Sequence, residues 1–273
     1  MLIARAHTLL GTVVAVHVHA ETADRARVED AIAQALASVA HIGRVMSAHH
    51  AESDLGRLSR ARTGDVLMLD AQTVRVIGAA QYWWQLSRGV FNPCRAAQTL
   101  AHAGLRPGLA CNATGSLNDI CIRADADVEL SAPVALDLGG IAKGYAVDCA
   151  VEVLRACGVD NALVNAGGDL RAVGHRRWPI DVRHAQTHLM DGRLQHKTHI
   201  QHMALATSVA GALNPELVMA RPRRKPRWTS VTVQASTCMA ADALTKWAMQ
   251  ASALCPDLRA ALRHHHGRMW RTP

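Results

Sequence analysis

Aromatic residues are scarce in this sequence: one Phe, two Tyr and six Trp among 273 residues. A core of this size must then be built from Ala, Val and Leu. Platforms for stacking nucleic-acid bases are correspondingly few. No apolar run reaches the roughly 18 residues of a membrane-spanning helix, so no membrane span is expected. C-x-x-C pairs are also missing from the seven cysteines (94, 111, 121, 149, 157, 238 and 255). An odd number without such pairs fits reduced thiols better than a disulfide framework. Neither a cleavable leader nor a lipobox cysteine is evident, and with the thiol pattern this leads us to expect a cytoplasmic protein. Acidic side chains are in the minority, 22 against 30 Lys and Arg, giving a formal charge of +8 and a pI near 9.5. That balance favours anionic ligands. The positive charge is dispersed except in R-P-R-R-K-P-R, 221–227, and nucleic acid is not expected as a partner.

What is present is hydrophobic content of 49%, enough for a full core in one large domain or two closely packed lobes. The alternation at 11–19 reads as a strand, and Thr22 can cap a helix running to about 45, with Val28, Ile32, Leu36 and Val39 on one face. A short strand at 66–69 leads to Asp70, an N-cap for a helix over 71–87. Tyr82, Trp83 and Trp84 on that helix read as core anchors. Further strands are expected at 120–123, 128–130, 134–138, 162–165, 178–183 and 229–234. Helices are expected at 141–156, stopped by Gly158, and at 239–249, capped by Thr237. A proline- and arginine-rich stretch, 214–226, reads as a flexible insertion within a single domain over 1–273. The sixteen histidines include His196, His199 and His202, three apart, and His184 and His188, four apart. On a strand or loop those intervals do not gather side chains on one face, so they read as solvated.

The chemistry concentrates at 135–148. Here an apolar stretch ending in Asp137 meets Gly139 and Gly140, then Lys143 and the helix. Glycine lets backbone amides approach an anion, and a helix N-terminus adds unpaired N–H groups with the positive end of the dipole. Lys143 brings a mobile positive charge, and Asp137 an acceptor for ribose hydroxyls or a base edge. The set suits a nucleotide phosphate. It also suits a tight turn with a solvated lysine, because it is neither G-x-G-x-x-G nor a Walker A loop.

L-D-L-G-G-I-A-K-G-Y-A-V-D at 136–148, V-N-A-G-G-D-L at 164–170 and M-A-A-D-A-L-T-K at 239–246 resemble the ApbE family, whose members are FAD:protein FMN transferases. The resemblance begins near Leu10-Gly11-Thr12, passes through Met46-Ser47 and Ser53-Asp54-Leu55, and covers nearly the whole chain. It implies an α/β (α+β) fold of two interlocked lobes with a flavin cleft between them. It also implies flavin and nucleotide contacts from Met46, Ser47, Asp137, Gly139, Lys143, Gly167 and Gly168. Magnesium would be held by Asp242 and the carbonyl of Gly140. The family's second side-chain ligand is a threonine one helical turn after the aspartate, where this chain has Lys246, with Thr245 one place earlier. Either Thr245 substitutes as a ligand, or Lys246 takes over part of the metal's charge, so Asp242 and Lys246 are the catalytic candidates.

Other departures fall in and just after 89–93, which reads as a loop, where Asn92, Cys94 and Ala96 stand at the family's aspartate, threonine and glycine. The H-I-x-D-P-x-T-G run has no counterpart beyond Asn214-Pro215, so no general base is carried over. The implied reaction is attack by a Ser or Thr hydroxyl of an acceptor protein on the FMN-side phosphorus of FAD, with AMP leaving and Mg²⁺ assisting. Two alternatives stay open: an FAD-binding protein that has lost transfer, and a Mg²⁺-dependent FAD pyrophosphatase.

Overall fold

The computed structural model describes residues 1–20, 25–110, 112–123, 127–183, 194–210, 228–251 and 254–272. The chain falls into two compact units. The first comprises Met1–Ala40, Lys143–Ala210 and Arg227–Pro273; the second comprises His41–Ala142 and Gly211–Pro226.

The first unit is built on a seven-stranded antiparallel sheet. In chain order its strands are β1 (Leu2–Leu9), β2 (Thr12–His19), β6 (Ala162–Ala166), β7 (Asp169–Val173), β10 (Ala204–Val209), β11 (Ser230–Ala235) and β12 (Arg268–Thr272), and they lie side by side in that same order. Period-two alternation places Val14, Val16 and Val18 of β2 in the core, and Val231, Val233 and Ala235 of β11 likewise. A hairpin of β8 (Trp178–Arg183) and β9 (Leu194–Ile200) packs Trp178, Val182 and Ile200 against Leu163, Leu170 and Leu205.

Two hairpins close with two-residue turns, Leu10-Gly11 and Gly167-Gly168, with φ of 54° and 70°, and of 63° and 101°. Positive φ at both positions is the turn whose twist matches that of the flanking strands. Gly167 is doubly constrained, since a Cβ there would lie 2.4 Å from Thr12 Oγ1.

Helix α1 (Arg25–Val45) buries Val28, Ile32, Leu36, Val39 and Ile42 at helical spacing. The expected cap Thr22 lies outside the described residues. Helix α5 (Ala142–Ala156) buries Ala146, Val147, Ala150, Val151 and Leu154. It ends in a Schellman arrangement: Gly158 (φ 78°) donates to Arg155 O and Val159 to Leu154 O. Helix α6 (Cys238–Gln250) packs across β10, β11 and β7, and Thr237 caps it by accepting from Ala240 N–H. Helix α7 (Pro256–His264) packs on α6, and His265 is its C-cap.

The second unit contains α2 (Asp54–Arg60), α3 (Ala71–Leu86), α4 (Pro93–His102) and a sheet of β3 (Val66–Met68), β5 (Asp127–Leu130) and β4 (Ile120–Ile122) in that lateral order. Asp70 caps α3 as expected, accepting from Gln72 N–H. Of the three aromatics on α3, Trp83 is buried and Tyr82 is exposed, so only part of that cluster anchors the helix.

Two expectations are corrected here. Residues 134–138 form no strand: the segment is buried and extended, but bonds such as Asp137 N–H to Pro93 O replace a ladder. Residues 93–102 are a helix, started by Asn92, whose side chain accepts from Arg95 N–H, with Pro93 at the first position. The insertion expected at 214–226 lies outside the described residues, as do His184 and His188. His199 and His202 are exposed. No described helix is long and apolar enough to cross a membrane.

Two tests follow from this packing. A Cβ on Gly144 would lie 2.4 Å from the backbone carbonyl of Cys238, whereas one on Gly78, also helical, would meet only Ile122 Cδ1 at 3.5 Å. Gly144→Ala is therefore expected to lower stability by about 1–3 kcal/mol, and Gly78→Ala to leave it unchanged or raise it by about 1 kcal/mol. Urea midpoints at constant slope check both. Burial pushes the Cys94 thiol up to about 12 and that of Cys238 well above the usual range, while Cys121 is exposed. Iodoacetamide should label Cys121 in the native protein and reach Cys94 and Cys238 only on unfolding.

Candidate functional site

The later part of the first sequence motif, from Lys143 on, and the other two motifs converge within the first unit. The first turn of α5 contributes Lys143 and the amide of Gly144. The start of β7, just after the Gly167-Gly168 turn, contributes Asp169. Helix α6 contributes Asp242, Thr245 and Lys246, and β10 contributes Ser208. Lys143 Nζ bonds the carboxylate of Asp169 and lies 3.9 Å from Asp242 Oδ2. Lys246 Nζ donates to Asp242 Oδ1 at 2.8 Å and to Ser208 Oγ at 2.7 Å. Gly144 N–H donates to Asp242 Oδ2 at 3.2 Å.

Two carboxylates and two ammoniums thus form a neutral cluster, which is how buried charge is tolerated. Asp242 is wholly buried and the Lys246 side chain is 8% exposed, but Lys143 keeps 31% of its side chain open to solvent. Burial alone would raise the pKa of Asp242. The ammoniums of Lys143 and Lys246 and the Gly144 amide outweigh it and hold the carboxyl below its ordinary value. For Asp169 burial prevails over Lys143, and the neighbouring charge of Asp242 adds to it, so its pKa is raised.

The hydroxyls of the cluster have their protons assigned by elimination. Thr245 Oγ1 donates to the carbonyl of Asp242 at 2.7 Å, as a helical threonine bonding back one turn does. Its contact with Ser208 Oγ, 2.6 Å, must then be one in which Ser208 donates. Ser208 in turn accepts from Lys246. The donors run in one direction, from Lys246 through Ser208 and Thr245 to the backbone of α6.

These residues do not fit a divalent ion. Oδ1 of Asp242 is engaged by an ammonium and Oδ2 by the Gly144 amide, and the Thr245 and Ser208 hydroxyls are fully buried and bonded to each other. A divalent ion on the same carboxylate would lie roughly 4 Å from Lys246 Nζ, a repulsion on the order of 8 kcal/mol at an effective dielectric near 20. Among the described residues no group of three His, Cys, Asp or Glu side chains is placed to hold a metal.

Around this cluster, Asp148 of α5 accepts from Cys238 and Met239 N–H at 2.8 Å each and from Arg171 at 3.0 Å. It fixes the N-terminus of α6 and so the position of Asp242. The Gly168 amide, read as an anion contact, donates to Asn165 Oδ1 at 2.9 Å.

The remaining candidates lie in the second unit. Asp137 is bonded by the Arg106 guanidinium and by the Gly139 amide, the latter at 2.7 Å. Its carboxylate therefore braces the turn that contains Gly139 and Gly140. Met46 is buried just past the end of α1. Ser47 accepts from His49 N–H, and its carbonyl accepts from Ser53, the cap of α2. Sequence reasoning missed Asp169, although it sits inside the second motif, and it missed Ser208 and Arg106, which carry no local signal.

Comparison with known proteins gives this geometry a family. A family model described as the ApbE family matches residues 10–254. A curated FAD:protein FMN transferase of Treponema pallidum is 28% identical over 187 residues, covering 62% of this chain and 51% of that protein. The chain thus spans about half the length of that relative. Among solved structures, the flavin transferase ApbE of Vibrio cholerae superimposes with a TM-score of 0.79 at 20% identity, covering 99% of this chain and 93% of that one. The ApbE protein of Thermotoga maritima gives 0.76 at 22% identity, covering 100% and 97%. The apo flavinyl transferase ApbE of Pseudomonas stutzeri gives 0.80 at 20% identity, covering 99% and 90%. These likenesses establish the mixed α/β fold, and the family match over most of the sequence establishes the rest: the chain belongs to the ApbE family.

Proposed function

We propose that this protein transfers the FMN moiety of FAD to a Ser or Thr hydroxyl of an acceptor protein and releases AMP. The observation that carries the reading is the convergence of the three family motifs on Lys143, whose side chain is partly exposed and whose ammonium is held by Asp169 and Asp242. In this reaction the acceptor oxygen forms a bond to the FMN-side phosphorus, the pyrophosphate P–O bond breaks, and the bridging oxygen leaves with AMP. The hydroxyl proton passes to solvent or to the phosphate of the leaving AMP. Phosphoryl transfer of this kind needs charge neutralised on the pyrophosphate and the reacting oxygens held in line.

Lys143 is suited to the first task. Its carboxylate partners orient it, and its solvent-open side can meet a phosphate oxygen. Met46 and Ser47 are proposed to face the flavin, and Asp137, Gly139, Gly167 and Gly168 to shape the nucleotide site. The bonds from the Gly139 amide to Asp137 and from the Gly168 amide to Asn165 Oδ1 support that part by fixing turn geometry. In the family pattern Mg²⁺ supplies further charge neutralisation on the pyrophosphate, and in this chain Gly140, Asp242 and, as a substitute for the family's threonine, Thr245 would be the residues to hold it. The engagement of Asp242 and Thr245 described above leaves that contribution to lysine here.

The deciding experiment incubates the protein with FAD and a candidate acceptor, follows AMP by chromatography and weighs the acceptor. An acceptor heavier by one FMN supports transfer. Free FMN and AMP with an unmodified acceptor would establish a pyrophosphatase instead, and bound FAD without AMP a binding protein. Lys143→Ala is expected to weaken FAD binding by about 1.5–3 kcal/mol, the range for a charge-assisted hydrogen bond. Quenching of flavin fluorescence measures it, and an unchanged affinity would remove Lys143 from the site.

A further inference from the structure

Lys246 stands where the family pattern has its second metal-ligating side chain. It lies one helical turn after Asp242, is nearly buried, and donates to both Asp242 Oδ1 and Ser208 Oγ. Ser208 Oγ bonds Thr245, whose own proton is directed to the α6 backbone. The side-chain oxygens that would be needed as ligands, those of Asp242 and Thr245, are therefore already hydrogen-bonded, and the chain that reaches Thr245 begins at an ammonium. An ammonium has three donors and no lone pair, so it completes an anion's coordination and cannot join a metal's.

We infer that Lys246 is the resident cation of this site: its ammonium replaces the divalent ion on Asp242, and the substrate is FAD free of Mg²⁺. The inference rests on the transfer reading for the identity of that substrate, but its core, a tethered cation excluding a divalent one, concerns the protein alone. Asp242 then acts as the anchor that holds Lys246 and Lys143 as a pair, and Lys143, the more exposed of the two, presents the charge to the pyrophosphate. Metal ions would neither strengthen FAD binding nor be required for it.

The test reads metal occupancy directly. Mn²⁺, the paramagnetic substitute for Mg²⁺, is titrated into the purified protein and followed by electron paramagnetic resonance, with thermal unfolding in parallel. The wild type is expected to show no stoichiometric Mn²⁺ binding at millimolar ion and no rise in melting temperature. Lys246→Thr should gain one Mn²⁺ per chain and a melting temperature that rises with the ion. Asp242→Asn placed on that background should remove the gain. If Lys246→Thr does not fold, Lys246→Met, which keeps length without charge, takes its place. One Mn²⁺ bound by the wild type and lost in Asp242→Asn would overturn the inference. So would a folded Lys246 variant that gains no ion, since something other than the lysine would then close the site. FAD affinity of the wild type should be the same in EDTA and in Mg²⁺; a tenfold or greater loss in EDTA also counts against it. None of these readouts requires turnover, so a failure of the transfer reading and a failure of this one give different results.

Discussion

Asp242 is a carboxylate with no access to water, and much of the first unit is arranged to satisfy it. A charge in that position must be met on every side by donors, because removing one partner of a buried pair costs about 3–5 kcal/mol. The donors are the Gly144 amide and Lys143 from α5 and Lys246 from its own helix, and Ser208 of β10 holds Lys246 in place by accepting from it. Each fixes an element. Helix α5 must bring its first turn against α6, which is why residue 144 has no room for a side chain. Strand β10 must lie beneath α6 at the level of Ser208, one residue from the end of its ladder with β11.

The same demand explains the second carboxylate on α5. Asp148 lies one turn beyond Gly144 and binds the first two amides of α6, where the positive end of that helix's dipole is concentrated. Burial raises its pKa, opposed by Arg171 and those two amides. Helix α6 is thus held at its N-terminus by Asp148 and Thr237 and along its length by the Asp242 cluster. The two lysines sit on opposite sides of one carboxylate as a result of helix placement, without needing a loop to hold them.

Elements with a strong local signal were legible in the sequence. Helix α5 announces itself by its apolar period and by Gly158, α3 by Asp70, and β11 by alternation. Strand β1 was not read, because of its eight residues only Ile3 is buried, so its pattern has no alternation to detect. Residues 134–138 misled in the opposite sense: an unbroken apolar run is the same whether it sits in a ladder or threads a core as extended chain. Helix α4 was hidden by reading 89–93 as a loop, although Asn92-Pro93 is a helix start in its own right. For the site, the motifs led directly to Lys143, Asp242 and Lys246. The partners of those residues were not legible. Ser208 is 38 residues from Lys246, and Arg106 is 31 from Asp137, and a lone serine on a strand or arginine in a turn shows no periodicity that points to its partner.

The one-way chain of donors from Lys246 through Ser208 and Thr245 bears on how this site can drift among descendants. Each member supplies the proton or lone pair that the next requires, so a change at one position alters what is tolerable at the other two. Replacing Lys246 alone removes the nearest cation from a buried anion, and replacing Ser208 alone removes one of the two acceptors that hold the ammonium. A chain that carries the lysine is therefore held to it by its neighbours. Exchange of the lysine for a metal-ligating side chain would require either a coordinated change at several positions or an ion on hand at the moment the lysine is lost. The network behaves as a ratchet, and its three side chains should be inherited as a block.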